Sequence, residues 1–214
     1  MLLNKNKAFE LIKLLNKSIK NPKTSLKYRN KFTLLTSVVL SAQCTDVNVN
    51  NVTKNIYKNY SRKIAIFKSV NMSLGINLLE YIVNILSKKI PNTYEIGISD
   101  NHHKMKVDYP SGTALMLANA VSKGKNKNLE SIKGKTFLNK KGNLQKNKIN
   151  FFITRKGNTI GKHSVIFDNK IENIEIKHTA FSRELFADGA LNAAIWINKK
   201  NKGLFNMRDM FGLK

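Results

Sequence analysis

The sequence predicts an α/β chain of the α+β kind: a short all-helical N-terminal segment, residues 1–60, then a mixed, largely antiparallel sheet with helices on one face, residues 61–214. Three observations predict it. The first sixty residues place apolar side chains at helical spacing and hold no glycine, the first in the chain being Gly75. Residues 151–178 contain three runs in which apolar and polar residues alternate, the period of a strand. Between these regions Pro110-Ser111-Gly112-Thr113 leads into Ala114, Leu115, Leu117 and Ala118, the pattern of a capped helix start.

Taken in order, Ala8, Leu11, Ile12, Leu15 and Ile19 define a first amphipathic helix, broken at Asn21-Pro22. Phe32, Leu35, Val38 and Val39 define a second, and Val49, Val52, Ile56 and Tyr60 a third after Thr45-Asp46. Ile64, Ile66 and Phe67 then form a short strand, and Ser69 to Met72 a polar turn. Ser73 caps a helix carrying Leu74, Leu78, Leu79, Ile82, Ile85 and Leu86, which ends at Pro91. Tyr94 to Ile98 reads as a strand, and the helix from Ser111 follows it. The lysine-rich stretch 123–148 has no clear period and reads as a long loop. The alternating runs around Phe151, Val165 and Ile176, separated by Gly157, Gly161 and Asp168-Asn169, predict an antiparallel meander. Ser182 opens a last long helix through Leu185, Gly189, Ala193 and Trp196 before the tail GLFNMRDMFGL.

Composition narrows the function. A hydrophobic content of 42% over 214 residues supports a packed core. No run approaches the roughly eighteen apolar residues of a membrane span, and the lysine-studded N-terminus is not a signal peptide, so a cytoplasmic protein with no membrane partner is expected. Cys44 is the only cysteine, which excludes an intrachain disulfide and a cysteine-based metal cluster. The net charge of +25 invites a nucleic-acid partner, but nearly all the excess is lysine spread along the whole chain. Arginine, the better fork for phosphate and guanine, occurs only at positions 29, 62, 155, 183 and 208. Nucleic acid is therefore not the expected partner.

The chemistry concentrates in Asp100 to Ala118, DNHHKMKVDYPSGTALMLA. His102, His103, Lys104 and Lys106 stand just ahead of a helix N-terminus, whose free N–H groups and positive dipole end bind carboxylate or phosphate. A proton donor, a fixed positive charge and an anion seat so close together describe a site for a small anionic substrate. A basic loop ahead of an ordinary capped helix would be written the same way. Adjacent histidines on an extended segment point oppositely, so no metal is expected there. His163 and His178 fall on strand patterns and read as structural.

Two resemblances follow from these motifs. Residues 21–60, with the core LSAQCTDVNVN from Leu40 to Asn50, resemble the N-terminal part of the endonuclease-III-type DNA glycosylases. There the glutamine matching Gln43 enters the duplex, but that family's LPGVGxKTA hairpin, VDTH segment and four cluster cysteines have no counterpart in the sequence. A DNA-binding fragment, or a purely structural one, is the alternative function. The segments NMSLGINLLE (71–80), NHHKMKVDYPSGTAL (101–115), IKHTAFSRELFADGALNAAIW (176–196) and GLFNMRDMFGL (203–213) resemble, in order, the C-terminal part of the 4-hydroxy-tetrahydrodipicolinate (dihydrodipicolinate) reductases of lysine biosynthesis.

The second resemblance implies an NAD(P)H-dependent reduction of a small cyclic dicarboxylate to tetrahydrodipicolinate, by an enzyme that assembles as a homotetramer. It places the general acid on His102 and the catalytic lysine on Lys106, with His103, Gly112 and Thr113 binding substrate. Ser69, Val70, Asn71 and Met72 match the loop that touches the nicotinamide end of NADH or NADPH. Met105 stands where the family often has histidine. The family's glycine-rich nucleotide turn cannot be built from residues 1–74, so the chain reads as a fusion of a glycosylase-like fragment to a reductase substrate domain.

Overall fold

The structure is a computed structural model that describes residues 59–213. The three helical patterns of the first sixty residues, and with them Gln43 and Cys44, lie almost wholly outside the described residues. The described part is a five-stranded mixed sheet with helices on one face, joined to a two-stranded parallel ribbon. The ribbon pairs β1 (Ala65–Phe67) with β7 (Gly203–Phe205), strands drawn from the two ends of the described chain.

The sheet has the order β3-β4-β2-β5-β6. Its strands are β2 (Glu95–His102), β3 (Lys133–Leu138), β4 (Ile149–Arg155), β5 (Gly161–Asp168) and β6 (Asn173–Ala180). Alternation sets the faces. Ile96 and Ile98 of β2, Ile149, Phe151 and Ile153 of β4, and Val165 and Phe167 of β5 form one buried face. Two helices cover it, α1 (Leu74–Lys89) over β6 and α2 (Gly112–Gly124) over β2 and β5. Ser73 caps α1 and Ser111 caps α2, each hydroxyl accepting from the backbone N–H three residues on, at 3.2 Å. The two helices cross closely at Gly124, where a Cβ would stand 2.6 Å from the Asn84 carbonyl oxygen. Asn84 Nδ2 fastens the crossing by donating to the Ala120 carbonyl at 2.9 Å. The chain ends in α4 (Glu184–Ile197) and α5 (Met207–Phe211), after the single-turn α3 (Leu129–Ile132) earlier in the fold.

Three expectations need correction. The sheet is mixed, but two of its four pairings are parallel (β3 with β4, β4 with β2) and two antiparallel, so it is not largely antiparallel. The meander is interrupted, because β2 lies between β4 and β5 and pairs with both. Strand alternation reports which face is buried, not which neighbour is bonded, and an earlier strand returning to the centre leaves no local signal. The lysine-rich stretch is not one long loop, since it holds α3 and the edge strand β3. Lysine stems lie along apolar surface while their charges stay in water, which hides the strand period.

The helix after Ser73 forms as expected, yet Leu78, Ile82 and Ile85 of its predicted stripe are exposed while Ile76, Leu79 and Val83 are buried. α1 carries apolar residues on more than one face, and burial selects the row that includes Val83. No helix among the described residues is long and apolar enough to cross a membrane.

Candidate substrate site at the end of the central strand

The inward phase of β2 that buries Ile96 and Ile98 continues to Asp100 and His102. Register then brings partners from both sides. Antiparallel pairing sets Asp100 against His163 of β5, and parallel pairing sets His102 against Arg155 of β4. Asp100 is fully buried. Its Oδ2 accepts from Ser111 N–H at 2.8 Å and from Arg155 Nη2 at 2.9 Å, and its Oδ1 from Ser111 Oγ at 3.0 Å. Oδ1 also lies 2.8 Å from His102 Nδ1 and 3.3 Å from His163 Nε2. The His102 ring nitrogen is close enough to pair but is not aligned as a hydrogen bond. The two imidazoles meet edge-on with centroids 4.9 Å apart.

Burial alone would raise the Asp100 pKa, but the pull of the adjoining His102, His163, Ser111 and Arg155 groups outweighs it and holds the carboxyl far below the usual range. Burial pushes His163 below its ordinary value despite the opposing pull of Asp100. Burial, followed by the charge of His163, lowers His178 as well.

Beside this network a pocket of about 280 Å³, counting its open mouth, is lined by Asn71, His102, Thr113, Gly161, His163 and His178 among others. Gly161 keeps the wall open, since a Cβ there would sit 3.3 Å from His102 Nε2. Gly112 and Thr113 are the first residues of α2, and their N–H groups have no acceptor among the described residues. Asn71 Nδ2 donates to Thr113 Oγ1 at 2.9 Å, joining the 69–72 loop to this helix start.

Of the residues singled out from sequence, the structure brings His102, Thr113 and Asn71 into this one pocket, with Gly112 adjoining. Ser69 supports the loop from behind, its hydroxyl donating to the Asn71 carbonyl at 2.7 Å. Met72 packs its backbone against Gly189 of α4, and Val70 is exposed. His103 and Lys106 lie on the turn beyond β2 and do not line the pocket, and Lys106 Nζ is paired with Asp108 at 2.7 Å. Sequence reasoning set His163 and His178 apart as strand residues and passed over Asp100 and Arg155 as functional groups. The one local signal was parity: Asp100 sits two residues before His102 and so shares its face.

The sequence model described as "Dihydrodipicolinate reductase, C-terminus" matches residues 75–211, most of the chain. The chain belongs to the dihydrodipicolinate reductase family. It is 47% identical over 159 residues to the 4-hydroxy-tetrahydrodipicolinate reductase of Pelagibacter ubique, a match covering 74% of this chain and 62% of that protein. To the reductase of Buchnera aphidicola from Cinara cedri it is 39% identical over 193 residues, 89% of this chain and 68% of the relative. To that of Clostridium tetani it is 44% identical over 156 residues, 73% and 60%. The chain thus spans about three fifths of the length of several curated relatives. A solved dihydrodipicolinate reductase from Paenisporosarcina sp. TG-14, with dipicolinate bound, shares the fold at a TM-score of 0.54 and 19% identity, covering 91% of this chain and 75% of its own.

Within this reductase-family domain, Asp100, His102 and His163 each offer one ligand atom, all within 4.8 Å, a spacing that suits a cation. The donors already on Asp100, and the Arg155 guanidinium 2.9 Å from its Oδ2, instead make the cluster a hydrogen-bonded ion network.

Proposed function

We propose that this chain carries the substrate-binding and protonating part of a 4-hydroxy-tetrahydrodipicolinate reductase, acting on a small cyclic dicarboxylate. The observation that carries the reading is the meeting of His102 with the free N–H groups of Gly112 and Thr113 at one pocket. A carboxylate set on the start of α2 is favoured by those donors and by the helix dipole. His102 then presents Nε2, the ring nitrogen away from Asp100, on the pocket wall beside Gly161. Reduction of the ring leaves negative charge there, and His102 in its imidazolium form can supply the balancing proton from Nε2, returning to the neutral ring with hydrogen on Nδ1.

Lys106 and His103 complete the substrate contacts in this reading. The Lys106 ammonium exchanges Asp108 for a substrate carboxylate, a swap of one anion for another on a half-exposed turn. NADH or NADPH supplies the hydride when bound. In this reading the loop Ser69 to Met72 takes its nicotinamide end: Asn71 of that loop lines the pocket, and the loop is held by the Asn71–Thr113 bond and by contact of Met72 with Gly189. The pyrophosphate and adenosine ends are assigned to no described residue. By the same family resemblance the chain forms a homo-oligomer, a tetramer, in the cytoplasm. Assembly in this reading uses the face of the sheet away from α1 and α2, where the half-buried Phe137 and Phe152 stack at 5.5 Å.

Calorimetric titration of the full chain with dipicolinate tests the binding, and NADH or NADPH oxidation with substrate generated in situ tests the reaction. Saturable dipicolinate binding that is lost in Thr113→Val and His102→Ala supports the reading. Absence of binding at millimolar dipicolinate overturns it.

A further inference from the structure

We propose that Asp100 is the positioning residue of this site, one buried carboxylate that holds the His102 ring and the start of α2 as a single unit. The proposal rests on the reading of His102 and Gly112–Thr113 as substrate groups. Its geometry is independent of that reading.

The two oxygens of Asp100 divide the work. Oδ2 takes the Ser111 N–H at 2.8 Å, and Oδ1 the Ser111 hydroxyl at 3.0 Å, so both polar groups of the α2 cap end on this side chain. Oδ1 also faces His102 Nδ1 at 2.8 Å. A helix cap alone needs no carboxylate, because Ser111 already satisfies the Ala114 N–H. Burying a charge with no role beyond capping would be costly, and the cost is met here by Arg155 at 2.9 Å. That guanidinium also donates to the Asp100 carbonyl at 2.9 Å and to the Asp108 carbonyl at 2.8 Å. The turn carrying His103 and Lys106 is therefore tied at its far end to the same group.

The chemical consequence concerns the tautomer. An ionised carboxylate can accept a proton in a hydrogen bond but has none to give. At 2.8 Å from that oxygen a ring lone pair would be repelled by the negative charge, so the nitrogen facing it keeps its own hydrogen; in the neutral ring Nδ1 is protonated and Nε2 is the nitrogen that exchanges protons with the pocket. Without the carboxylate, His102 could turn or take the other tautomer, and Ser111 could shift with Gly112 and Thr113 behind it.

The test uses the full chain labelled with ¹⁵N-histidine, read by long-range proton–nitrogen spectra, with dipicolinate as the binding probe. Native His102 is expected as one tautomer with hydrogen on Nδ1. Asp100→Asn, which can donate to Nδ1, is expected to mix or invert that tautomer and to weaken dipicolinate binding about tenfold, the loss of one charged hydrogen-bond network member. Asp100→Glu keeps the charge and is expected to recover the native tautomer in part. Where Asp100→Asn does not fold, the native tautomer and the Asp100→Glu spectrum carry the test. Hydrogen on Nε2 and none on Nδ1 in the native protein, or an Asp100→Asn protein that folds with tautomer and affinity unchanged, overturns the proposal. An Asp100-dependent tautomer in a chain that fails to bind dipicolinate supports the positioning role and sinks the substrate reading alone.

Discussion

Asn71 and Thr113 stand 42 residues apart in sequence and meet through one hydrogen bond of 2.9 Å between the amide and the threonine hydroxyl. This contact joins the loop after β1 to the helix that opens the candidate anion seat. The Asn71 side chain is fixed on its other side too, since Oδ1 accepts from the Ser73 N–H at 2.8 Å. A double-mutant cycle of Asn71→Ala and Thr113→Val isolates the joint, and a coupling of about 0.5–1.5 kcal/mol in urea unfolding is expected. Additive effects would show that the loop and the helix are held together elsewhere.

Gly189 gives the same loop a second support. A Cβ at this position would lie 1.7 Å from the Met72 carbonyl oxygen, and backbone cannot swing aside as the tip of a side chain can. Gly189→Ala must push α4 and residues 69–72 apart. Overpacking of this kind costs about 1–3 kcal/mol. The expected result is a lower urea midpoint, with amide shifts concentrated at Ser69 to Ser73. A variant as stable as the native chain would mean that the contact relaxes freely.

These supports show which parts of the site were legible in sequence. His102, Gly112 and Thr113 lie within a dozen residues of one another, and local rules for a helix start after a polar turn suffice to pair them. The network behind them is assembled by sheet register. Arg155 is 55 residues from Asp100 and binds it only because β4 runs parallel beside β2. His163 arrives from the other side by antiparallel pairing with β5. Alternation along the chain identified the β4 and β5 runs as strands but could not tell that β2 divides them. The helix after Ser73 shows the same limit, because its periodic apolar residues did not reveal whether Leu78 and Ile82 or Ile76 and Val83 would be covered.

Arg208 and Glu80 make the clearest two-point ion pair, at 2.9 Å through Nε and 2.7 Å through Nη2, and fasten α5 to α1. A guanidinium matches both carboxylate oxygens at once, whereas an ammonium offers a single point of charge. Arg208→Lys is therefore not a neutral exchange. The pair is only partly buried, so solvent screening reduces its value, and a loss of about 0.5–1 kcal/mol is expected. The measurement is urea unfolding in low and high salt. A native-like midpoint in both would show that α5 is held by Met207 packing alone.

The buried network also fixes how stability depends on pH. His163 and His178 titrate below their ordinary value of 6.5 in the folded chain. As pH falls through that value the unfolded chain takes up protons that the folded chain refuses, so protonation favours unfolding. Asp100 acts in the same direction at lower pH, because its folded carboxyl stays ionised well below the ordinary 3.8. Both contributions are complete above about pH 6.5 and are lost on acidification, the histidines first and the aspartate later. The urea midpoint is expected to drop between pH 7.5 and pH 5, roughly one unit above and well below an ordinary histidine. His163→Gln, which keeps a polar side chain without a titrating ring, should flatten that part of the profile while leaving the steeper loss below pH 4, where carboxylates titrate. A native midpoint that stays level or rises on acidification would show that these rings are not held neutral by burial.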